Sequence, residues 1–411
     1  MTYWGVNAIF LGIAVVVLAV AVLLRRPGRL FWGSLAGAAV LLVVLTAVFD
    51  NVMIASGIMT YTEQNISGVR IGLAPLEDFA YPVAGVLLLP ALWLLLGRER
   101  EGAASSPGPV VPRRGVDVLT RLFWASRPLS WVNTAYPFAA AALLTGGLPW
   151  WLVVLGTVFF LVPYNLAMYG INDVFDFASD LRNPRKGGVE GSVLGDPAVR
   201  RRVLAWSVLL PVPFVAVLAG WSAVRGEWAA VLVLAVSLFA VVAYSWAGLR
   251  FKERPFLDAA TSATHFVSPA VYGLALAGAT PTPALAALLG AFFLWGMASQ
   301  MFGAVQDVVP DREGGLASVA TVLGARRTVL LAAGLYAAAG LLLLATDPPG
   351  PLAALLAVPY VVNTLRFRRI TDATSGAAHR GWQLFLPLNY VTGFLVTLLL
   401  IGWALSRGAA A

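Results

Sequence analysis

Long apolar runs alternate with short polar segments along almost the whole chain. Each run is close to the ~20 residues that an α-helix needs to cross the hydrocarbon layer of a membrane. Three runs lie before residue 100, at roughly 3–24, 30–49 and 79–96. Nine follow, at roughly 128–147, 150–171, 203–222, 228–247, 258–278, 283–303, 328–346, 350–365 and 383–404. The pattern predicts an all-α integral membrane protein with about 12 transmembrane helices, three in a first group and nine in a second.

One polar stretch separates the two groups of apolar runs. Residues 97–109 are rich in Gly, Ser, Pro, Arg and Glu, a composition typical of linkers. We therefore predict a three-span domain at 1–97, a linker at 98–117 and a nine-span domain at 118–405. The first apolar run has neither a basic leading segment nor a small-residue cleavage site, and we expect it to be a retained span.

The basic residues predict how the chain is oriented. Alternate loops carry 25 of the 28 Lys and Arg residues, and only Arg70, Arg225 and Arg407 lie in the other set. Because basic loops stay on the cytoplasmic side, this asymmetry predicts an outer N-terminus and an outer C-terminus in a multi-pass protein of the cell membrane.

Composition excludes several functional classes. The chain is 59% hydrophobic and 12% charged, with a mean hydropathy of +0.82, which excludes a soluble domain of this size. Cysteine is absent, and His265 and His379 are the two histidines, so disulfides and thiolate or histidine-rich metal centres are excluded. The net charge of +8 is explained by the cytoplasmic loops, so we do not expect a nucleic-acid partner.

Two acidic clusters follow directly on apolar runs, both on the predicted cytoplasmic side. The first cluster consists of Asn172, Asp173, Asp176 and Asp180, and the second consists of Asp307 and Asp311. The aspartates recur at helical spacings, so each set would share one face of a helix. Because such carboxylates repel one another and are costly to desolvate, we expect a cation to hold them. All-oxygen ligands suit Mg²⁺ better than zinc or copper.

Basic residues lie near both clusters. With Asn172, those expected to support a diphosphate are Arg185, Lys186, Arg250, Lys252 and Arg312. Carboxylates with Mg²⁺ and surrounding cations are suited to binding a diphosphate leaving group, so that an allylic C–O bond can break to a carbocation. Alternatively, Arg250, Lys252 or Arg254 could be no more than one of the basic residues that orient the chain in the membrane, and Asp258 could be a helix cap or a ligand. His265 is expected to be a packed polar residue.

The motifs NDxxDxxxD at Asn172–Asp180 and DxxxD at Asp307–Asp311 resemble those of the UbiA family of membrane prenyltransferases. Between the two motifs, the segments Tyr244-Ser245 and 249–252 are similar to the central loop of that family. The resemblance covers about residues 118–405 and implies a nine-helix UbiA-type bundle. It also implies Mg²⁺ bound by Asp173, Asp176, Asp180, Asp307 and Asp311, and Tyr244 facing the carbocation.

The first domain carries a second resemblance. Phe49-Asp50-Asn51 and Pro75-Leu76-Glu77-Asp78 are similar to motifs of the small lycopene cyclase domain of heterodimeric carotenoid cyclases. The resemblance implies a half-cyclase that needs a second small cyclase subunit, with Glu77, Asp78 and Asp50 as catalytic acids and Glu77 in proton transfer. Alternatively, Glu77 and Asp78 simply begin a helix, where acids are favourable.

Together the two resemblances imply a bifunctional enzyme of fifty-carbon carotenoid biosynthesis. It would transfer dimethylallyl groups from dimethylallyl diphosphate to the ends of lycopene or a related carotenoid, with ring closure aided by the cyclase domain. An alternative is a UbiA-type prenyltransferase acting on a quinone precursor or lipid alcohol, with a structural N-terminal module. A transporter fits the span number, but the charges lie at the membrane faces and the split is unequal.

The predicted topology contains one conflict. It puts the acids of the first domain at the outer face and the prenyltransferase site at the cytoplasmic face. Either a polyene presents one end to each side, or residues 50–78 fold back into the membrane.

Overall fold

The computed structural model describes residues 3–57, 59–96, 116–177 and 196–408. It divides the chain into two compact units, Met1–Val110 and Val111–Ala411. Among the predicted site residues, Asp180, Arg185 and Lys186 lie outside the described residues.

The first unit is a three-helix module with one small hairpin. Its helices are α1 (Tyr3–Arg25), α2 (Arg29–Ala55) and α3 (Ala80–Leu96), and its short antiparallel strands are β1 (Arg70–Ile71) and β2 (Ala74–Pro75). A 3₁₀ turn at Leu76–Phe79 leads from β2 into α3. Helix α3 packs chiefly on α1 and also contacts α2. The start of α1, the end of α2 and the start of α3 therefore share one end of the module.

The second unit is a bundle of helices. The helices before its central loop are α4 (Val116–Ala125), α5 (Trp131–Thr145), α6 (Trp150–Leu161), α7 (Pro163–Phe175), α8 (Pro197–Leu209), α9 (Pro211–Val224) and α10 (Trp228–Ser245). Those after it are α11 (Leu257–Leu276), α12 (Pro283–Val305), α13 (Val308–Glu313), α14 (Val319–Leu323), α15 (Ala325–Leu343), α16 (Gly350–Ala353), α17 (Ala357–Leu365) and α18 (His379–Gly408).

Two aromatic-rich cores hold this bundle together, and α11 lies between them. The first core, around Phe138, Phe160 and Tyr164, joins helices α5, α6, α7, α10 and α11. The second, around Phe302 and Tyr360, joins α12, α15, α17 and α18. Helix α11 packs against α5, α10 and α12, which makes it the central element of the unit.

In the described part of the chain, nine helical stretches are long and apolar enough to cross a membrane, three in the first unit and six in the second. The other three predicted spans are also helical but fall short by this measure. Helix α5 has 15 residues, Gly350–Leu365 is a shorter apolar stretch, and α11 carries polar side chains along its 20 residues. These three helices and the nine stretches together correspond to the twelve apolar runs predicted from the sequence. The protein is an all-α, multi-pass membrane protein.

A break between α6 and α7 sets the position of the first acidic cluster. Pro163 cannot donate a backbone hydrogen bond, so the carbonyls before it need other partners. Thr134 Oγ1 donates to the Phe160 carbonyl over 2.7 Å, and Asn165 Nδ2 donates to the same carbonyl over 2.8 Å and to Leu161 O over 3.1 Å. These buried bonds let the chain change direction without exposing backbone, and α7 then carries the cluster at its end.

We predict that Gly273→Ala destabilises the second unit, because an added Cβ would lie 2.8 Å from the Phe138 carbonyl oxygen and 3.1 Å from Ala141 Cβ. Helices α5 and α11 would have to separate, at a cost of about 1–3 kcal/mol. Thermal unfolding of the detergent-solubilised protein would measure the loss. Gly220→Ala is the matched control, because nothing lies within 4 Å of its added Cβ. Equal unfolding temperatures for the two variants would contradict this account of the packing.

Candidate functional site

The end of α7 carries the first acidic cluster into the protein. Asp173 is fully buried and Asp176, at the C-terminal cap, is 8% exposed. Asn172 Oδ1 accepts a hydrogen bond of 2.9 Å from Ser245 Oγ, at the end of α10. Buried carboxylates require compensating charge, and the structure supplies it from two other segments.

Arg127 is one source of that charge, and the sequence reasoning did not single it out. Its Nη2 lies 3.1 Å from Asp173 Oδ1, and its guanidinium carbon is 4.4 Å from the centre of the Tyr169 ring. The residue has a φ of +49° directly before Pro128, which bends the chain between α4 and α5. No motif marks this arginine, since its position depends on how α4 and α7 pack.

Lys252 is the second source. It lies in the 3₁₀ turn Phe251–Glu253 and forms an ion pair with Asp176. Burial lowers the pKa of Lys252 to about 8, against the opposing effect of the Glu253 and Asp173 carboxylates. The ammonium is therefore poorly hydrated and close to the acidic cluster. Both properties suit a group that binds phosphate oxygens.

The other predicted basic residues have different partners. Arg250, with a φ of +44°, pairs with Glu253 in its own loop. Arg312 donates to the Thr321 carbonyl over 3.0 and 2.6 Å and lies 2.6 Å from Asp372 Oδ2. Arg312 thus ties α13 to α14 and to the turn before α18. Their predicted role in holding a diphosphate remains a prediction.

The second acidic motif forms the turn at the start of α13. Asp307 is the N-cap residue, and the Asp311 backbone N–H donates to the Asp307 carbonyl over 2.9 Å, so the two residues are one helical turn apart as their spacing predicts. Both are partly exposed. Nearby, Asp258 Oδ2 accepts from the Val319 N–H over 3.1 Å, which joins the first turn of α11 to α14.

The donor chemistry of these residues fits a hard divalent cation. Asp173, Asp176 and Asn172 offer carboxylate and amide oxygens at a buried helix end that already attracts two cationic side chains. Within the described ranges, no group of three or more His, Cys, Asp or Glu side chains is close enough to hold a metal ion. Asp180, the third aspartate of the first motif, is outside those ranges.

Tyr244 directly precedes Ser245, whose hydroxyl donates to Asn172 of the acidic cluster. Its ring meets the His265 ring edge to face, with centroids 5.4 Å apart and planes at 82°. Gln300 Nε2 is 3.5 Å from the Tyr244 hydroxyl, and Ser262 Oγ donates to Gln300 Oε1 over 3.1 Å. An aromatic ring at this position can stabilise a carbocation through its π face.

The acids of the first unit meet at the end shared by α1, α2 and α3. Glu77 is 3% exposed, and its Oε1 accepts from the Ser67 N–H over 2.5 Å. Asp78 Oδ2 accepts from the Tyr61 hydroxyl over 2.5 Å. Asp50, near the end of α2, is close enough to interact electrostatically with both Asp78 and Tyr61.

Tyr61 was not identified from the sequence. Burial, followed by the hydrogen bond and negative charge of Asp78, raises the pKa of the Tyr61 phenol, which therefore stays a donor. Its ring also packs edge-on against Tyr3, with centroids 6.2 Å apart. Only folding brings the loop that carries Tyr61 close to Asp78 at the start of α3, so no spacing in the sequence indicates this contact.

Asn51, within the first motif of this unit, has a structural role. Its Nδ2 donates to the carbonyls of Ala47 (2.7 Å) and Ile71 (2.8 Å), and its Oδ1 accepts from the Leu73 N–H over 2.5 Å. It thus fixes the β1–β2 turn to the end of α2. Gly72 has a φ of +67°, and a Cβ there would collide with the Asn51 amide.

Comparisons with known proteins match both parts of the chain. The UbiA prenyltransferase family matches residues 134–388, and the lycopene cyclase family matches residues 1–96. A C(50) beta-cyclic carotenoids biosynthesis protein, LbtBC, from Dietzia sp. (strain CQ4) is 49% identical over 419 residues, covering 94% of this chain and 95% of that protein. A lycopene elongase/hydratase from Corynebacterium glutamicum is 52% identical over 278 residues, covering 67% of this chain and 95% of the relative.

Solved structures are more distant. A UbiA homolog from Archaeoglobus fulgidus bound to DMAPP and Mg²⁺ has a TM-score of 0.49 at 20% identity, covering 66% of this chain and 98% of the other. The sequence relationships are much closer, and they confirm both resemblances drawn from the motifs. Because the family match covers more than half of the chain, this protein belongs to the UbiA prenyltransferase family, and its first 96 residues match the lycopene cyclase family.

Proposed function

We propose that this enzyme transfers dimethylallyl groups from dimethylallyl diphosphate to the ends of lycopene, and that its first unit helps to close the rings of the fifty-carbon product. The observation that carries this proposal is the 49% identity to LbtBC across both units, because a relative restricted to the second unit would leave the first unexplained. The lycopene elongase/hydratase name of the C. glutamicum relative supports the same acceptor.

The acidic motifs would bind the diphosphate end of the donor. Asp173, Asp176, Asp180, Asp307 and Asp311 are the residues that would hold Mg²⁺, which supplies positive charge to neutralise the leaving group. Arg127 and Lys252 lie at the buried aspartates already, so they are available to bind phosphate oxygens as substrate enters. Asn172, Arg185, Lys186, Arg250 and Arg312 would add support.

The chemistry then needs no activated nucleophile. The C–O bond breaks, diphosphate leaves with the electron pair, and the terminal double bond of the polyene attacks the allylic carbon. A C–C bond forms and a tertiary carbocation remains on the polyene. Tyr244 is suited to face the cationic carbon during this step, because it adjoins Ser245, which contacts the acidic cluster, and its ring meets the buried His265.

Ring closure belongs to the first unit in this proposal. The tertiary cation, or one made by protonating the polyene end, is attacked by the next double bond, and a proton is then lost. Glu77, Asp78 and Asp50 would carry the proton transfers, with Tyr61 fixing Asp78. A single three-helix module is half of the heterodimeric arrangement, so we further propose a second small cyclase subunit as its partner.

The basic loops support a cytoplasmic prenyltransferase site.

The test is pigment analysis by mass in a lycopene-accumulating bacterium that expresses the chain alone and then with a candidate second cyclase module. We expect fifty-carbon pigments from the chain alone, and rings when the partner is added. Unchanged lycopene in both strains, with the protein present in membranes, would favour the alternative acceptor, a quinone precursor or lipid alcohol.

Asp173→Ala should abolish elongation, lowering it by at least about 100-fold, because the deepest carboxylate of the diphosphate site is removed. The same pigment assay measures this, with membrane fractions probed for the protein. We expect insertion to be unchanged. Elongation at the wild-type level would contradict the assignment of Asp173 to the donor site.

Arg127→Gln should reduce both stability and elongation, because the fully buried Asp173 loses its cation. With Arg127 itself 20% exposed, we expect about 2–3 kcal/mol of destabilisation, and a smaller effect for Arg127→Lys. Thermal unfolding in detergent and the pigment assay give the two readouts. Arg326→Gln, at an exposed position at the start of α15, is the control. If Arg127→Gln behaves like this control, the pair with Asp173 is unimportant.

Glu77→Gln should yield acyclic fifty-carbon pigment when the partner module is present, because the amide cannot donate or accept the proton that ring closure requires. Elongation should continue unchanged. Asn51→Ala is the comparison, since it disturbs the hairpin without removing an acid. Rings formed normally by Glu77→Gln would show that the first unit is structural.

A further inference from the structure

His265 is the most unusual buried group in the second unit. It lies in the middle of α11, is 3% exposed, and neither Nδ1 nor Nε2 has a hydrogen-bond partner. An imidazole carries one donor and one acceptor, and leaving both unsatisfied inside a protein is unfavourable. An apolar side chain of similar size would pack there without that cost.

The serines on either side of His265 in α11 do have partners. Ser268 Oγ lies 2.7 Å from Ser237 Oγ, which donates to the Tyr164 hydroxyl over 3.0 Å. Ser262 donates to Gln300. A histidine kept only for packing would be expected to join such a hydrogen-bonded chain, whereas both nitrogens of His265 lack a partner. Its orphaned nitrogens indicate a polar or reactive partner that arrives with the substrate.

The position of His265 relates it to the proposed donor site. Its ring contacts Tyr244, and the next residue, Ser245, donates to Asn172, which precedes Asp173. His265 lies about two helical turns after Asp258 of the first turn of α11, so it is further along the helix than the end that meets the loop. Diphosphate would remain at the acids, whereas the apolar acceptor and its cation would extend past Tyr244 toward His265.

We infer that His265 is a catalytic residue that accepts the proton released when the carbocation on the prenylated polyene is quenched. This inference rests on the proposed prenyl transfer. In direct quenching, a C–H bond next to the cation breaks, its electron pair forms the new double bond, and the proton moves to a ring nitrogen. If water adds instead, a C–O bond forms and the water proton moves to the same nitrogen.

Either route balances, because the protonated imidazole can return its proton to the departing diphosphate. A desolvated imidazole is a weak base, but a tertiary carbocation is so strong an acid that a weak, well-placed base suffices. The same desolvation favours return of the proton, since a buried imidazolium is unfavourable. A neutral histidine among aromatic rings is thus suited to one proton transfer per turnover.

The experiment compares His265→Phe and His265→Gln with the unaltered chain in membranes. Each is supplied with dimethylallyl diphosphate, Mg²⁺ and lycopene. The assay is run once with ordinary lycopene and once with lycopene deuterated at its terminal methyl groups. We expect His265→Phe to lower formation of elongated product by at least about tenfold at an unchanged KM for the diphosphate. We also expect a changed ratio of alkene to hydrated or isomeric products, and a changed isotope effect on that ratio. His265→Gln, which keeps a polar group but not a base, should behave like His265→Phe.

Thr264→Val is the matched control at the adjacent position, because the Thr264 hydroxyl only donates to the Ala260 carbonyl of its own helix. It should elongate normally with unchanged products. A lower rate for the His265 variants with the wild-type product ratio and isotope effect would show a structural role and overturn the inference, as would a wild-type rate. If the unaltered chain itself forms no elongated product, the proposed function fails, and the inference fails with it.

Discussion

The second unit depends on burying the acidic end of α7 between cationic side chains from two other segments. Asp173 is fully buried and meets Arg127, while Asp176 meets Lys252. A buried carboxylate without a partner would be strongly destabilising, so both connecting segments must reach α7 for the bundle to form. The break at Pro163 and the left-handed conformations of Arg127 and Arg250 are local features that make this convergence possible. Residues far apart in sequence are thereby assembled around one helix end.

Much of this could be predicted from sequence because the responsible forces are local or periodic. Apolar runs predicted the helices, and aspartates at helical spacing predicted helical turns at both motifs, which the end of α7 and the start of α13 do provide for the described residues. Arg127 and Tyr61 escaped prediction because their importance comes from tertiary contacts with Asp173 and Asp78, which no spacing encodes. The same holds for the partners of Arg312. Its proximity in sequence to Asp311 suggested a diphosphate ligand, and folding also brings its guanidinium to the Thr321 carbonyl and to Asp372.

Buried polar side chains lie inside one of the predicted spans. Helix α11 has the length of a span, yet Asp258, Thr261, His265 and Ser268 are all buried along it. A hydropathy average treats such residues as evidence against membrane crossing. Physically, they are tolerated because α11 is central, and neighbouring helices shield it from lipid. The low mean hydropathy of α11 is therefore compatible with the span predicted there.

The partners of the carboxylates separate the chemistry of the two units. At α7 the acids pair with a guanidinium and an ammonium, so each buried carboxylate has a cationic partner. In the first unit, Asp78 instead accepts a hydrogen bond from the Tyr61 phenol, a neutral donor. The proposed mechanism assigns metal and diphosphate binding to the first set of acids and proton transfer to the second. The same residue type would serve both steps, and what distinguishes the two sets is the charge of the groups that each carboxyl group contacts.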